Sequence, residues 1–122
     1  MPHEYSVDTA HRLVRVRMWG ALTRTEILAT VAELVDDPRL SPEFSEVIDV
    51  TGATAAEIDT EDVRVIAGAL LDSVARRAFV APEPVTFGLA RMFGSFRELK
   101  GSAEHVGVFH SVREAEEWLG LG

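Results

Sequence analysis

Four histidines, twenty acidic residues and a scatter of hydroxyls are the groups in this 122-residue sequence whose types could do chemistry. His3, His11, His105 and His110 match no metal-ligand spacing, such as two histidines four apart on one helix face. There is no cysteine, which excludes disulfides, thiolate nucleophiles, iron–sulfur ligation and cysteine-ligated zinc together. No Gly-x-Gly-x-x-Gly follows a strand, and neither a P-loop nor a Gly-x-Ser-x-Gly elbow occurs. The acid pairs Asp36-Asp37 and Glu116-Glu117 are adjacent in sequence, so on a helix they point apart and read as solvated surface. The expectation is a chain with no catalytic residues, no metal site and no cofactor, and therefore not an enzyme.

Periodicity switches regularly between strand and helix, as in an α/β domain. Residues 4–7 read as a short strand, a turn follows at Asp8-Thr9-Ala10, and residues 12–19 alternate cleanly. Val14, Val16 and Met18 point one way and Arg15 and Arg17 the other, giving a strand with one buried and one wetter face. The two strands pair as an antiparallel hairpin that ends at Gly20. Thr23 and Glu26 form a capping box, and Ile27, Leu28, Val31, Leu34 and Val35 make one helical stripe until Asp37-Pro38 stops it. Residues 47–50 and 78–81 read as short buried strands.

Between those strands a second helix carries Val63, Ile66, Leu70, Leu71 and Val74, with Thr60 as N-cap and Glu61 and Asp62 placed for the helix dipole. A third helix carries Val85, Leu89, Met92, Phe93, Phe96 and Leu99 on one face and ends at Gly101. Residues 105–109 form the last strand, and Ser111 with Glu114 is a second capping box, opening a helix through Leu119. The order β-β-α-β-α-β-α-β-α predicts a mixed, mostly parallel five-stranded sheet flanked by helices.

In such a sheet ligands bind beyond the carboxyl ends of the strands. The loops there are 50–59, 81–84 and 110–111, which makes Asp49, Thr51 and His110 the candidate ligand residues. Asp49 either binds a ligand or accepts hydrogen bonds from neighbouring backbone. Phe87 lies nearly opposite the third helix's apolar stripe, beside Arg91 and Gly94. It is either an interface anchor or an aromatic packing inward from the preceding loop.

At 122 residues the chain fits a single domain spanning residues 1–122. The first residues show no basic region followed by an apolar run, and no apolar stretch approaches the ~20 residues that span a bilayer. A formal charge of −8, with eleven Arg and one Lys scattered among twenty acids, argues against nucleic acid. A bacterial cytoplasmic protein is the expectation.

Three stretches are familiar together: Val47-Ile48-Asp49-Val50-Thr51-Gly52 followed by Ile58-Asp59-Thr60; Phe79-Val80-Ala81-Pro82 followed by Phe87-Gly88-Leu89-Ala90-Arg91-Met92-Phe93; and Val108-Phe109-His110-Ser111 followed by Glu114-Ala115-Glu116-Glu117-Trp118-Leu119-Gly120. In this order they resemble the SpoIIAA-like family of small STAS-fold proteins, over nearly the whole chain. The resemblance implies an open sheet flanked by helices and a group of largely unassigned function. Better-known relatives of that family are anti-sigma-factor antagonists, which bind a kinase and are switched by phosphorylation of a serine. That serine sits in an Asp-Ser-Ser sequence opening the helix after the central strand. Here Asp59-Thr60-Glu61 takes that place, which puts Glu61 on the switch position; a slip of one residue would make Thr60 the acceptor. Glutamate cannot be phosphorylated, so the resemblance implies a fixed negative charge there instead of a phosphoserine switch.

The reading is a regulatory or protein-interaction module, pairing with itself as a homodimer and serving a regulatory partner. The alternative is a carrier of a small apolar, lipid-like ligand, which needs a cavity of roughly 300 Å³ lined by residues such as Phe79, Phe87, Met92 and Phe96.

Overall fold

The structure, a computed structural model, describes residues 3–70 and 75–121. The expected helical positions Leu71 and Val74 lie outside the described residues.

Strands β1 (His3–Asp8) and β2 (Leu13–Thr23) pair antiparallel; β3 (Ser45–Glu57), β4 (Arg76–Val80) and β5 (His105–Phe109) then add parallel, each beside its predecessor. The five-stranded mixed sheet and the order of elements are those predicted from the sequence. Helices α1 (Arg24–Asp36), α2 (Thr60–Ala69) and α3 (Pro84–Leu99) pack on one face, against Val14, Val16, Met18, Ile48, Val50 and Phe79. Helix α4 (Val112–Trp118) covers part of the other, where Ala115 and Trp118 meet Leu13, Val47, Ala78, Val80 and Phe109. Successive side chains in β3 and β4 alternate between these two apolar layers, which is why both strands read as continuous apolar runs. Arg15 and Arg17 lie on the same face as α4: Arg15 donates to Glu116 of α4 at 2.9 Å, and Arg17 to Glu4 of β1 at 3.4 Å.

Four expectations are corrected. Residues 50–59 are not a loop: β3 runs to Glu57, because β2 also continues past Gly20 to Thr23 and supplies partners for Gly52, Ala53, Ala55, Ala56 and Glu57. Two register shifts accommodate the longer strand. Gly52 sits where a Cβ would come within 2.8 Å of the Trp19 Cβ, so the close approach of the strands requires glycine. The small residues of this stretch hide its strand character, since the pairing partner and not the side chains holds it.

The N-cap of α2 is Asp59, not Thr60. Asp59 Oδ1 accepts the Asp62 N–H at 2.8 Å, and Asp62 Oδ2 accepts the Asp59 N–H at 3.0 Å, a reciprocal capping box. In α3 the buried line is Thr86, Ala90, Phe93 and Arg97, while Val85 and Leu99 are 66% and 82% exposed. The expected stripe is rotated toward Arg97, which is buried because Glu104 and the carbonyls at the end of α2 pair it. The polar members of the line are satisfied locally: Thr86 Oγ1 donates to the Glu83 carbonyl at 3.1 Å, and Arg97 is paired as described below. Leu89, Met92 and Phe96 are half-buried flanks of this line. Val35, expected on the α1 stripe, is likewise exposed.

Candidate functional site

Among the described residues strand β5 is a free edge of the sheet. Its ladder to β4 is made by alternate residues: the His105 N–H donates to the Ala75 carbonyl at 3.1 Å and the Phe109 carbonyl accepts the Ala81 N–H at 2.9 Å. Residues of one strand alternate in the direction of their backbone groups. The N–H and C=O groups of Val106 and Val108 therefore point away from β4, toward solvent. Beside them runs an open groove of about 600 Å³, walled by Phe87, Arg91, Gly94 and Glu98 of α3 and by Trp118 of α4.

The walls are held by identifiable contacts. Gly94 lies directly over β5, where a Cβ would stand 3.2 Å from Val106 Cγ1. Phe87 packs on the core and stacks on the His110 ring, with centroids 4.5 Å apart and planes 15° from parallel. Trp118 leans on Phe109 at 5.3 Å between centroids, and the Arg76 guanidinium lies 5.2 Å from its ring centre. Gly107 has no side chain because a Cβ would meet the Phe109 ring at 2.8 Å and Trp118 at 3.3 Å.

A buried ionic cluster fixes one end of the groove. Glu104, just before β5, accepts from Arg97 Nε at 2.7 Å and from Ser102 Oγ at 2.8 Å, and is also bonded by Arg77 of β4. Arg97 Nη1 donates in addition to the carbonyls of Ala67 and Leu70 at 2.6 and 3.3 Å. Those are carbonyls at the end of α2, where a cation complements the helix dipole. One arginine thus ties α3 to α2 and to the start of β5.

The sequence-derived candidates are scattered. Asp49 is half-buried within β3, not at its end, and its Oδ1 accepts the Thr51 N–H at 2.9 Å. Thr51 is exposed at the register shift. Thr60 and Glu61 are exposed in the first turn of α2, where both Glu61 oxygens accept from Arg64 Nη2 at 2.6 and 2.8 Å. Phe87, Arg91 and His110 do come together, at the β5 groove. Sequence reasoning missed Val106, Val108, Glu98 and Trp118, because only the order of strands reveals which one is an edge.

The core cavity between the sheet and α1–α3 is about 100 Å³, with an almost wholly apolar lining that includes Met18, Leu22, Ile48, Phe79 and Phe93. Of the residues expected to line a carrier's pocket, Phe79 is there, while Phe87, Met92 and Phe96 are not. Among the described residues no group of three or more His, Asp or Glu is placed to hold a metal ion.

The fold has a solved counterpart. An uncharacterised protein of the DUF3478 family from Shewanella loihica, described as having a SpoIIAA-like fold, superposes with a TM-score of 0.60 over 96% of this chain and 93% of its own. The chain has a SpoIIAA-like fold. At 16% identity the likeness to that SpoIIAA-like protein concerns the fold alone. No family model matches the sequence, and no curated protein is significantly similar to it.

Proposed function

We propose that this SpoIIAA-like chain is a non-enzymatic interaction module that docks an extended protein segment against the free β5 edge. One observation carries the reading: the outward backbone groups of Val106 and Val108 lie at a trough flanked by Phe87 and Trp118. Strand addition uses just these parts, with main-chain bonds supplying affinity and neighbouring side-chain pockets supplying selectivity. The opposite edge, β1, carries Glu4, Ser6 and Asp8, polar and charged residues of the kind that discourage strand pairing. A second copy of the chain is one such partner, and a regulatory protein is another.

The start of α2 fits a module without a phosphoserine switch. Glu61 supplies a permanent charge there, neutralised by Arg64, and Asp59 is engaged in capping. Among the described residues no helix is long and apolar enough to cross a membrane, and a cysteine-free chain suits the cytoplasm. The core cavity of about 100 Å³ falls well short of the roughly 300 Å³ of a ligand pocket, so it does not favour the carrier.

Panning a random peptide library against the immobilised protein at low density tests the proposal. Selected peptides should alternate apolar and polar residues and lose binding to Val108→Pro, which removes one outward N–H. Peptides that bind Val108→Pro as well as the parent would overturn it.

A further inference from the structure

We infer that the groove's occupant is a second copy of the chain, its β5 paired antiparallel to the first about a two-fold axis at Gly107. The inference rests on the β5 edge being a docking site and adds which partner fits it.

Two features of the surface are self-complementary about that axis. The first is the strand. Gly107 is the midpoint of β5, and the residues on either side, Val106 and Val108, are the ones with outward backbone groups. A two-fold at Gly107 sets Val106 of one copy opposite Val108 of the other, and each such pair exchanges both N–H···O=C bonds. His105 of one copy then faces Phe109 of the other on the α4 side of the joined sheet.

The second feature is charge. Helix α3 runs antiparallel to β5, since Phe87 reaches His110 beyond the strand's end while Gly94 lies over Val106. Its groove-facing line is Phe87, Arg91, Gly94, Ser95 and Glu98. Arg91 and Glu98 are exposed, opposite in sign, and without an ion pair among the described residues. They stand symmetrically about Gly94-Ser95, roughly 10 Å apart along the helix. The axis at mid-β5 passes beside that small pair, so the two α3 helices approach there. Arg91 of each copy then meets Glu98 of the other, twice over. A net charge of −8 opposes association at long range, but about 0.15 M salt screens it beyond ~8 Å and leaves these close pairs.

Sedimentation velocity at that ionic strength, over a concentration series, gives the test. The parent protein should self-associate. Arg91→Glu and Glu98→Arg should each weaken the dimer about tenfold, through two like-charge contacts apiece. An equimolar mixture of these two variants restores both pairs, as does the double variant R91E/E98R, and each should regain the parent's affinity. Rescue of this kind cannot come from misfolded protein. Val108→Pro should abolish the dimer while keeping the helical circular dichroism signal, because its N–H takes no part in the β4 ladder. A parent that is monomeric throughout overturns self-pairing but leaves strand docking to stand or fall on the peptide selection. A dimer indifferent to the charge changes, or singles not rescued by mixing, overturns the register.

Discussion

Replacing Glu104 by glutamine removes a single charge from the most enclosed ionic cluster among the described residues. The side chains of Glu104 and Arg97 are 1% exposed and that of Arg77 is 3% exposed. Glu104 is the carboxylate shared by both guanidinium groups, and it also accepts from Ser102 Oγ at 2.8 Å. An amide in its place can accept through one atom only, and turns a donor toward groups that are themselves donors. Both arginines would then hold charge out of water with reduced compensation, a situation that costs about 3–5 kcal/mol. For a domain of this size each kcal/mol corresponds to about 4 °C, so thermal unfolding should fall by about 12 °C or more. The exposed pair Arg113–Glu117, at 3.2 Å, is the internal control: Arg113→Ala should change stability by less than about 0.5 kcal/mol. Thermal and urea unfolding followed by circular dichroism measure both. A Glu104→Gln loss under about 3 °C would refute the claim that the cluster is held by mutual charge compensation.

Other expectations follow from single contacts. Asp59→Ala should cost about 1 kcal/mol in urea unfolding whereas Thr60→Ala should cost far less; the reverse order would return the cap to Thr60. The Asp37 carboxyl is held well below the usual carboxylate range, first by side-chain and backbone hydrogen bonds involving Arg39 and then by Tyr5. Its folded value lies below that of the unfolded chain, so its stabilising effect is present above about pH 4 and is lost as pH falls toward the folded value. In Arg39→Ala the Asp37 carboxyl carbon, followed by NMR, should titrate closer to the ordinary range; an unchanged midpoint would discount the ion pair. Gly107→Ala should destabilise by about 1–3 kcal/mol through contact with the Phe109 ring, and a neutral effect in thermal unfolding would contradict that packing.

Where the sequence spoke in periodicity, it was readable. The alternation through Val14, Val16 and Met18 and the caps Thr23 and Ser111, each of which accepts the N–H three residues on without the return bond of a full capping box, marked β2, α1 and α4 close to their true places. Where an element is defined by its partner, it was not. Residues 52–57 are small and weakly patterned, and become strand because β2 extends alongside them. The line of α3 was rotated because a buried arginine looks like surface until its carboxylate, seven residues on, is seen folded back beside it. The α2 cap was misplaced by one residue because aspartate and threonine are both good caps, and only the reciprocal bond with Asp62 separates them. Phe87, Arg91 and His110 were singled out for separate reasons, and the fold brings them to one groove. The backbone groups at its floor have no signature in side-chain type, since being an edge is a property of the sheet.

Amide hydrogen exchange along β5 tests the docking edge most directly. In dilute protein Gly107 and Phe109, whose amides face β4, should exchange slowly, while Val106 and Val108 exchange fast. Raising the protein concentration, or adding a selected peptide, should slow Val106 and Val108 together and leave residues of β1 unchanged. Slow exchange at Val106 and Val108 in the dilute protein, or no response to either addition, would contradict the account.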